Sequence, residues 1–314
     1  MSEQSMMWAA FGLLMVVMLT IDLGMNRKAH KVSFRQALTW SIVWISLALA
    51  FNLGIYVVLG KTKALEFFAG YIIEKSLSVD NLFVFIMIFD YFKIRGEYQA
   101  RILKWGIIGA LVLRALFIFT GIELLNTFHW MFYLFGVLLL FTAWKMAFGG
   151  KEELHPDKNL LVRLARKLFP FTKRVRGDWF FTRRRGILVA SPLFLALVMV
   201  ESSDVLFAID SIPAIFAVTL DPFIVFTSNI FAIMGLRALY FLLASIMGMF
   251  VYLKLGISAI LAFVGGKMIA TAMGIHIPIQ VSLLVIFTCL ALAVAASLFI
   301  EKQPAKQADP HNHT

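Results

Sequence analysis

Five carboxylates interrupt long apolar runs of this chain: Glu74, Asp80, Glu201, Asp204 and Asp210. Read as helices, the runs place Glu74 and Ser78 (i, i+4) on one face, with Asn81 at i+7. Glu201 and Asp204 (i, i+3) share a second face, with Ser211 seven residues beyond Asp204. Both faces therefore carry hard oxygen donors, the ligand type suited to Mg2+, Ca2+ and Mn2+. A geometric limit applies. Glu74 and Asp80 are six residues apart, about 240° around an ideal helix, and so are Asp204 and Asp210. Both members of such a pair reach one cavity only where the helix unwinds, and Pro213 permits distortion near Asp210. Otherwise one carboxylate of each pair serves a second site or an ion pair. Two sites, or two unwound segments, are expected.

The elements that must position these acids follow from composition. The 314 residues are 61% hydrophobic and 15% charged, with a mean hydropathy of +0.86. Soluble domains hold more charge and less apolar surface. Nine stretches are long and apolar enough to cross a bilayer as helices, at roughly 6–26, 35–59, 65–92, 100–123, 128–148, 188–218, 222–247, 253–273 and 278–300. The expected fold is an all-α polytopic membrane protein. An ionisable group at mid-bilayer costs about 2.5–3.5 kcal/mol on insertion scales, so the five acids need cationic partners, protons or a bound metal ion. Lys75, Arg114 and Arg237 are the candidate structural ion-pair partners. Lys145 and Lys267, near span ends, are expected to snorkel, and Asp22 is expected at an interface.

Of the 29 Lys and Arg residues, 22 fall in loops that share one side of the membrane and two, Lys61 and Lys63, fall on the other. The positive-inside rule then sets the N-terminus outside and the C-terminus in the cytoplasm, as in a multi-pass protein of the cell inner membrane. The sizeable connection at 149–187 is basic. Its Leu160, Leu161, Leu164 and Leu168 alternate with Arg163, Arg166 and Lys167, which suits either an amphipathic helix on anionic headgroups or a solvated basic linker. The tail from Glu301 is polar, and its His311 and His313 are too isolated to suggest a metal site.

An internal repeat organises the rest. Asp80-Asn-Leu-Phe83 matches Asp204-Val-Leu-Phe207, Leu113-Arg-Ala-Leu116 matches Leu236-Arg-Ala-Leu239, and Phe141 to Met146 matches Phe263 to Met268. The offsets of 124, 123 and 122 residues hold nearly constant register. Each copy has three spans, so the two copies run in opposite directions, the inverted topology that puts transporter sites at the repeat interface. The single membrane domain then divides into two N-terminal helices (1–64), repeat 1 (65–148), the basic loop (149–187), repeat 2 (188–273), and a last helix with its tail (274–314).

The segments Glu74-Lys-Ser-Leu-Ser-Val-Asp-Asn81 and Glu201-Ser-Ser-Asp-Val-Leu-Phe-Ala-Ile-Asp-Ser-Ile-Pro-Ala214 resemble the signature segments of the TerC family. Asp221-Pro-Phe-Ile-Val-Phe-Thr-Ser-Asn229, followed by Gly235-Leu-Arg237, is similar as well. The likeness runs from about residue 8 to 300 and is strongest to the Alx-type branch of that family, which is related to the LysE-type exporters. It implies Mn2+ export, with acidic signature positions at Glu74, Asp80, Glu201, Asp204 and Asp210.

The expected function is a secondary transporter that exports Mn2+ from the cytoplasm, with Ca2+ or Mg2+ as neighbouring cargo and protons as the counter-flux. No permanently bound cofactor is expected; the metal is cargo. No GxxxxGK[ST] motif accompanies the spans, so a gradient would supply the energy. The alternative is a membrane scaffold or tellurite-stress factor whose buried charges are structural. Neither an enzyme nor a nucleic-acid binder is expected. The lone Cys289 leaves no disulfide framework.

Overall fold

The structure, a computed structural model, describes residues 3–24, 33–149, 159–172, 179–184, 187–246 and 252–299. Apolar runs of this length leave the backbone one way to satisfy its own hydrogen bonds in lipid, and they are helical. The helices are α1 (Glu3–Gly24), α2 (Phe34–Leu59), α3 (Lys61–Tyr91), α4 (Gly96–Thr127) and α5 (Met131–Phe148), then the short α6 (Leu160–Leu168). After a hairpin of β1 (Phe181–Arg184) and β2 (Ile187–Ala190) come α7 (Pro192–Phe216), α8 (Pro222–Ile233), α9 (Leu236–Ile246), α10 (Leu253–Ala272) and α11 (Ile279–Phe299). Each of the nine predicted stretches coincides with a helix or, for 222–247, with the α8–α9 pair.

Among the described residues, seven helices could cross a membrane by length and composition, and the bent pair α8–α9 makes eight. The 31-residue α3 is also long enough to cross, although its acids and lysines make it less apolar than its neighbours. Local sequence sets several helix starts. Asp221 accepts from the N–H groups of Phe223 and Ile224 ahead of Pro222, and Ser33 caps α2.

The unwinding expected beside the acids lies elsewhere. α3 runs unbroken through Ser76–Asn81, and α7 runs through Asp210 and Pro213 to Phe216. The break falls between α8 and α9, where the axes turn by 43°. Its cause is Gly235, which holds φ +78° and lies so close to Trp44 that a Cβ would collide with the indole. Carbonyls freed by the break accept from Lys75 Nζ, Ala232 at 3.1 Å and Met234 at 3.4 Å.

The packing is reciprocal. α4 lies on α7 while α3 lies on α8, and α3–α7 and α5–α10 pack directly. Gly136 of α5 and Gly265 of α10 let their backbones approach closely, each facing the other's carbonyl oxygen.

Of the basic connection, α6 and the hairpin are described; residues 150–158, 173–178 and 185–186 lie outside the described residues. So do Arg27, Lys28 and Lys31, and the polar tail with Glu301, His311 and His313.

Candidate functional site

Two polar clusters occupy the interface of α3, α4, α5, α7, α8 and α10. The first centres on Arg114 of α4, which is wholly buried. One terminal nitrogen donates to Glu74 of α3 and, at 3.0 Å, to the side-chain oxygen of Asn229 on α8. The Asn229 amide donates in turn to the second Glu74 oxygen at 3.3 Å. The other terminal nitrogen of Arg114 stands 3.6 Å from Asp204 on α7, an ion-pair distance without a hydrogen bond. Four helices thus meet on one guanidinium. Two carboxylates face one cation, an excess that a proton or a metal ion would neutralise. The cluster is also short of partners. Among the described residues, the second Asp204 oxygen and the buried hydroxyls of Ser78 and Ser211 make no hydrogen bond.

The second cluster lines a cavity of about 190 Å³. Asp80 and Asn81 come from α3, Thr142 and Lys145 from α5, Asp210 from α7 and Lys254 from α10, with apolar side chains closing the rest. The Thr142 hydroxyl donates to Asp210 at 2.9 Å. The six-residue spacing is thereby resolved on two continuous helices. On each, the first acid (Glu74, Asp204) faces Arg114 and the second (Asp80, Asp210) lines the cavity. Asp80 and Asp204 are equivalent in the repeat, yet Asp80 lines the cavity and Asp204 stands on Arg114. Among the described residues, no three His, Cys, Asp or Glu side chains converge as a metal-holding group. The cavity instead offers two carboxylates, an amide and a hydroxyl, with two ammonium groups among them.

Glu201 lies one turn before Asp204, close enough for their charges to interact, but it joins neither the Arg114 hydrogen bonds nor the cavity lining. Its carboxylate occupies the space beside Gly109 of α4 that a Cβ there would fill. The cations divide differently from expectation. Arg114 pairs with acids of the signature segments, but Lys75 caps backbone carbonyls. Arg237 is the repeat equivalent of Arg114, and it pairs with Asp22 of α1, donating to its backbone carbonyl and standing 3.5 Å from its carboxylate. Asp22, near the end of α1, is accordingly buried against protein, 1% exposed. Lys267 does not snorkel; it is buried and donates to Ser282 of α11 at 2.9 Å. Thr142 and Lys254 escaped the sequence reading. A hydroxyl in the strongly apolar α5 was the available signal for Thr142, whereas Lys254 reads as an ordinary loop-end cation.

The family model described as integral membrane protein TerC family matches residues 59–305, which hold α3 to α11 and so every residue of both clusters. The chain is 50% identical over 305 residues to an uncharacterized membrane protein of Myxococcus xanthus, covering 96% of this chain and 95% of that one. It is 46% identical over 312 residues to a protein of Escherichia coli (strain K12) named provisionally as the membrane-bound redox modulator Alx, covering 96% and 97%. A Rickettsia bellii membrane protein is 40% identical over 294 residues, covering 93% and 97%. No solved structure matches.

Proposed function

We propose that this chain, which belongs to the TerC family of integral membrane proteins, is a secondary transporter that exports a divalent cation, Mn2+, from the cytoplasm. The observation that carries the reading is the cavity shared by Asp80, Asn81, Thr142 and Asp210 at the interface of the two three-helix units. Four oxygen-bearing side chains from α3, α5 and α7 form a hard-donor set of the kind Mn2+ takes, with Ca2+ and Mg2+ as chemically neighbouring cargo. Lys145 and Lys254 line the same space, so the two carboxylates there face two ammonium groups. An entering cation displaces them, and their flexible stems allow it.

Protons supply the counter-flux. The Arg114 cluster carries one carboxylate more than its cation neutralises, and a proton is the smallest charge that corrects it. Ion-path carboxylates of this kind serve proton relays in pumps and transporters. The N-terminus lies outside and the C-terminus in the cytoplasm by the distribution of basic residues. With Cys289 as its one cysteine the sequence offers no internal dithiol, so we read any effect on redox state as a consequence of metal balance rather than enzymatic turnover.

The wholly buried Arg114–Glu74 pair favours a second, structural reading, in which these charges hold a membrane scaffold together. Intracellular manganese under metal load separates the two. Cells with the wild-type chain should hold less Mn2+ than cells with Asp80→Asn or Asp210→Asn at equal membrane abundance. Equal content in all three removes the transport reading.

A further inference from the structure

Neither polar cluster uses α6. Its N-cap Asn159 makes three hydrogen bonds. The side-chain oxygen accepts from the N–H groups of Leu161 and Val162 at 3.0 and 3.1 Å, and the amide donates to Ser202 of α7 at 2.7 Å. Ser202 is the eleventh residue of α7, about 15 Å from its start at Pro192. The first turn of α6 is thus fastened well inside the length of a helix that crosses the bilayer. An uncapped helix N-terminus at such depth would leave bare N–H groups in lipid, and Asn159 satisfies those of Leu161 and Val162.

The three faces of α6 are distinct. Val162 and Ala165 are buried against α7. Leu160, Leu161, Leu164 and Leu168 are 75%, 43%, 51% and 66% exposed. They fall within about 100° of arc, a continuous leucine face. Arg163, Arg166 and Lys167 are exposed on the remaining side, with Arg166 and Lys167 in the last turn, far from Asn159. Apolar side chains therefore dominate the deep end and cations the other, where the carbonyl end of the helix also favours positive charge.

We propose that α6 is an obliquely seated membrane helix: its leucine face enters the acyl chains, Arg163, Arg166 and Lys167 bind anionic phospholipid headgroups, and Asn159 ties it to α7 beside Glu201. The argument is one of charge complementarity and depth, and it holds whatever cargo the protein carries. Lipid headgroup charge then bears on the helix that holds Asp204 and Asp210. Near an anionic surface each basic residue is worth about a five-fold change in an equilibrium. Neutralising all three should lower the ratio of seated to lifted α6 on the order of 100-fold.

Full-length protein with Cys289→Ser and either Leu161→Cys or Leu168→Cys, labelled with an environment-sensitive fluorophore, provides the test. The vesicles contain phosphatidylcholine alone or mixed with phosphatidylglycerol. The quenchers are nitroxides deep in the acyl chain, nitroxides at the headgroup, and aqueous iodide. In anionic vesicles the label at 161 should be quenched best by the deep nitroxide and the label at 168 by the headgroup nitroxide. Combined Arg163→Gln, Arg166→Gln and Lys167→Gln should reduce lipid quenching to its level in neutral vesicles, and Asn159→Ala should make the 161 label shallower. Iodide quenching of both labels, as for a solvated loop or a surface awaiting a soluble partner, overturns the proposal. So does lipid quenching that ignores headgroup charge and the triple substitution, and an unmoved 161 label in Asn159→Ala removes the tie to α7.

Discussion

Arg114 of α4 donates a hydrogen bond to Glu74 of α3, and neither side chain is exposed. Taking away Glu74 removes the hydrogen-bonded carboxylate of Arg114 and leaves only Asp204 at 3.6 Å, so the cost should approach that of a broken buried pair, about 3–5 kcal/mol. Glu74→Ala should therefore lower the thermal midpoint of the purified protein sharply. Glu74→Gln, which can still meet Asn229, should lower it less. Thermal unfolding followed by tryptophan fluorescence reads both, and a wild-type midpoint in Glu74→Ala would show the pair to be dispensable.

The α8–α9 break gives a steric prediction. Gly235 combines φ +78° with direct contact to Trp44. Gly235→Ala carries the left-handed penalty of about 1–2 kcal/mol and a clash besides. Adding Trp44→Ala should remove the indole contacts, leaving the Cβ contact at 2.9 Å and the backbone term. The double variant should then be more stable than the sum of the single effects predicts, and strict additivity would place the strain elsewhere.

Lys75 should act on backbone rather than on acids. Its ammonium meets the Ala232 and Met234 carbonyls. Lys75→Met leaves them unpaired at about 1–3 kcal/mol for each buried group. Hydrogen exchange across 228–238 should accelerate in that variant while exchange in α5 stays unchanged.

These relationships divide by what a sequence can carry. Span positions were legible because a bilayer permits few backbone solutions: 128–148 was expected and Met131–Phe148 is found, and 253–273 agrees with Leu253–Ala272. The split of each acid pair was legible too, since six residues turn a continuous helix through about 240°. Partner identity was not. Arg114 and Arg237 occupy matching positions, yet one meets Glu74 and Asp204 and the other meets Asp22. That difference depends on α1, which stands outside the repeat. The break at Gly235 was hidden because the apolar pattern continues through it, and only the approach of Trp44 explains why a glycine stands there.

Thr142 is the residue through which the transport reading reaches beyond carboxylates. Its hydroxyl holds Asp210 at 2.9 Å. Thr142→Val keeps the shape and removes the donor, and a hydrogen bond to a charged group is worth about 1.5–3 kcal/mol. The Mn2+ concentration for half-maximal flux should rise roughly ten-fold or more with little change in thermal stability. An unchanged half-maximal concentration would remove Thr142 from the cation path.

Flux through purified protein in sealed vesicles is the most direct measure of the central claim. With an Mn2+-quenched dye inside and a pH gradient imposed, the wild-type chain should carry Mn2+ against the proton flow. Asp80→Asn and Asp210→Asn, inserted to the same level and equally monodisperse, should reduce that flux to the level of protein-free vesicles. Wild-type flux in both variants would contradict the assignment of their shared cavity as the cation path.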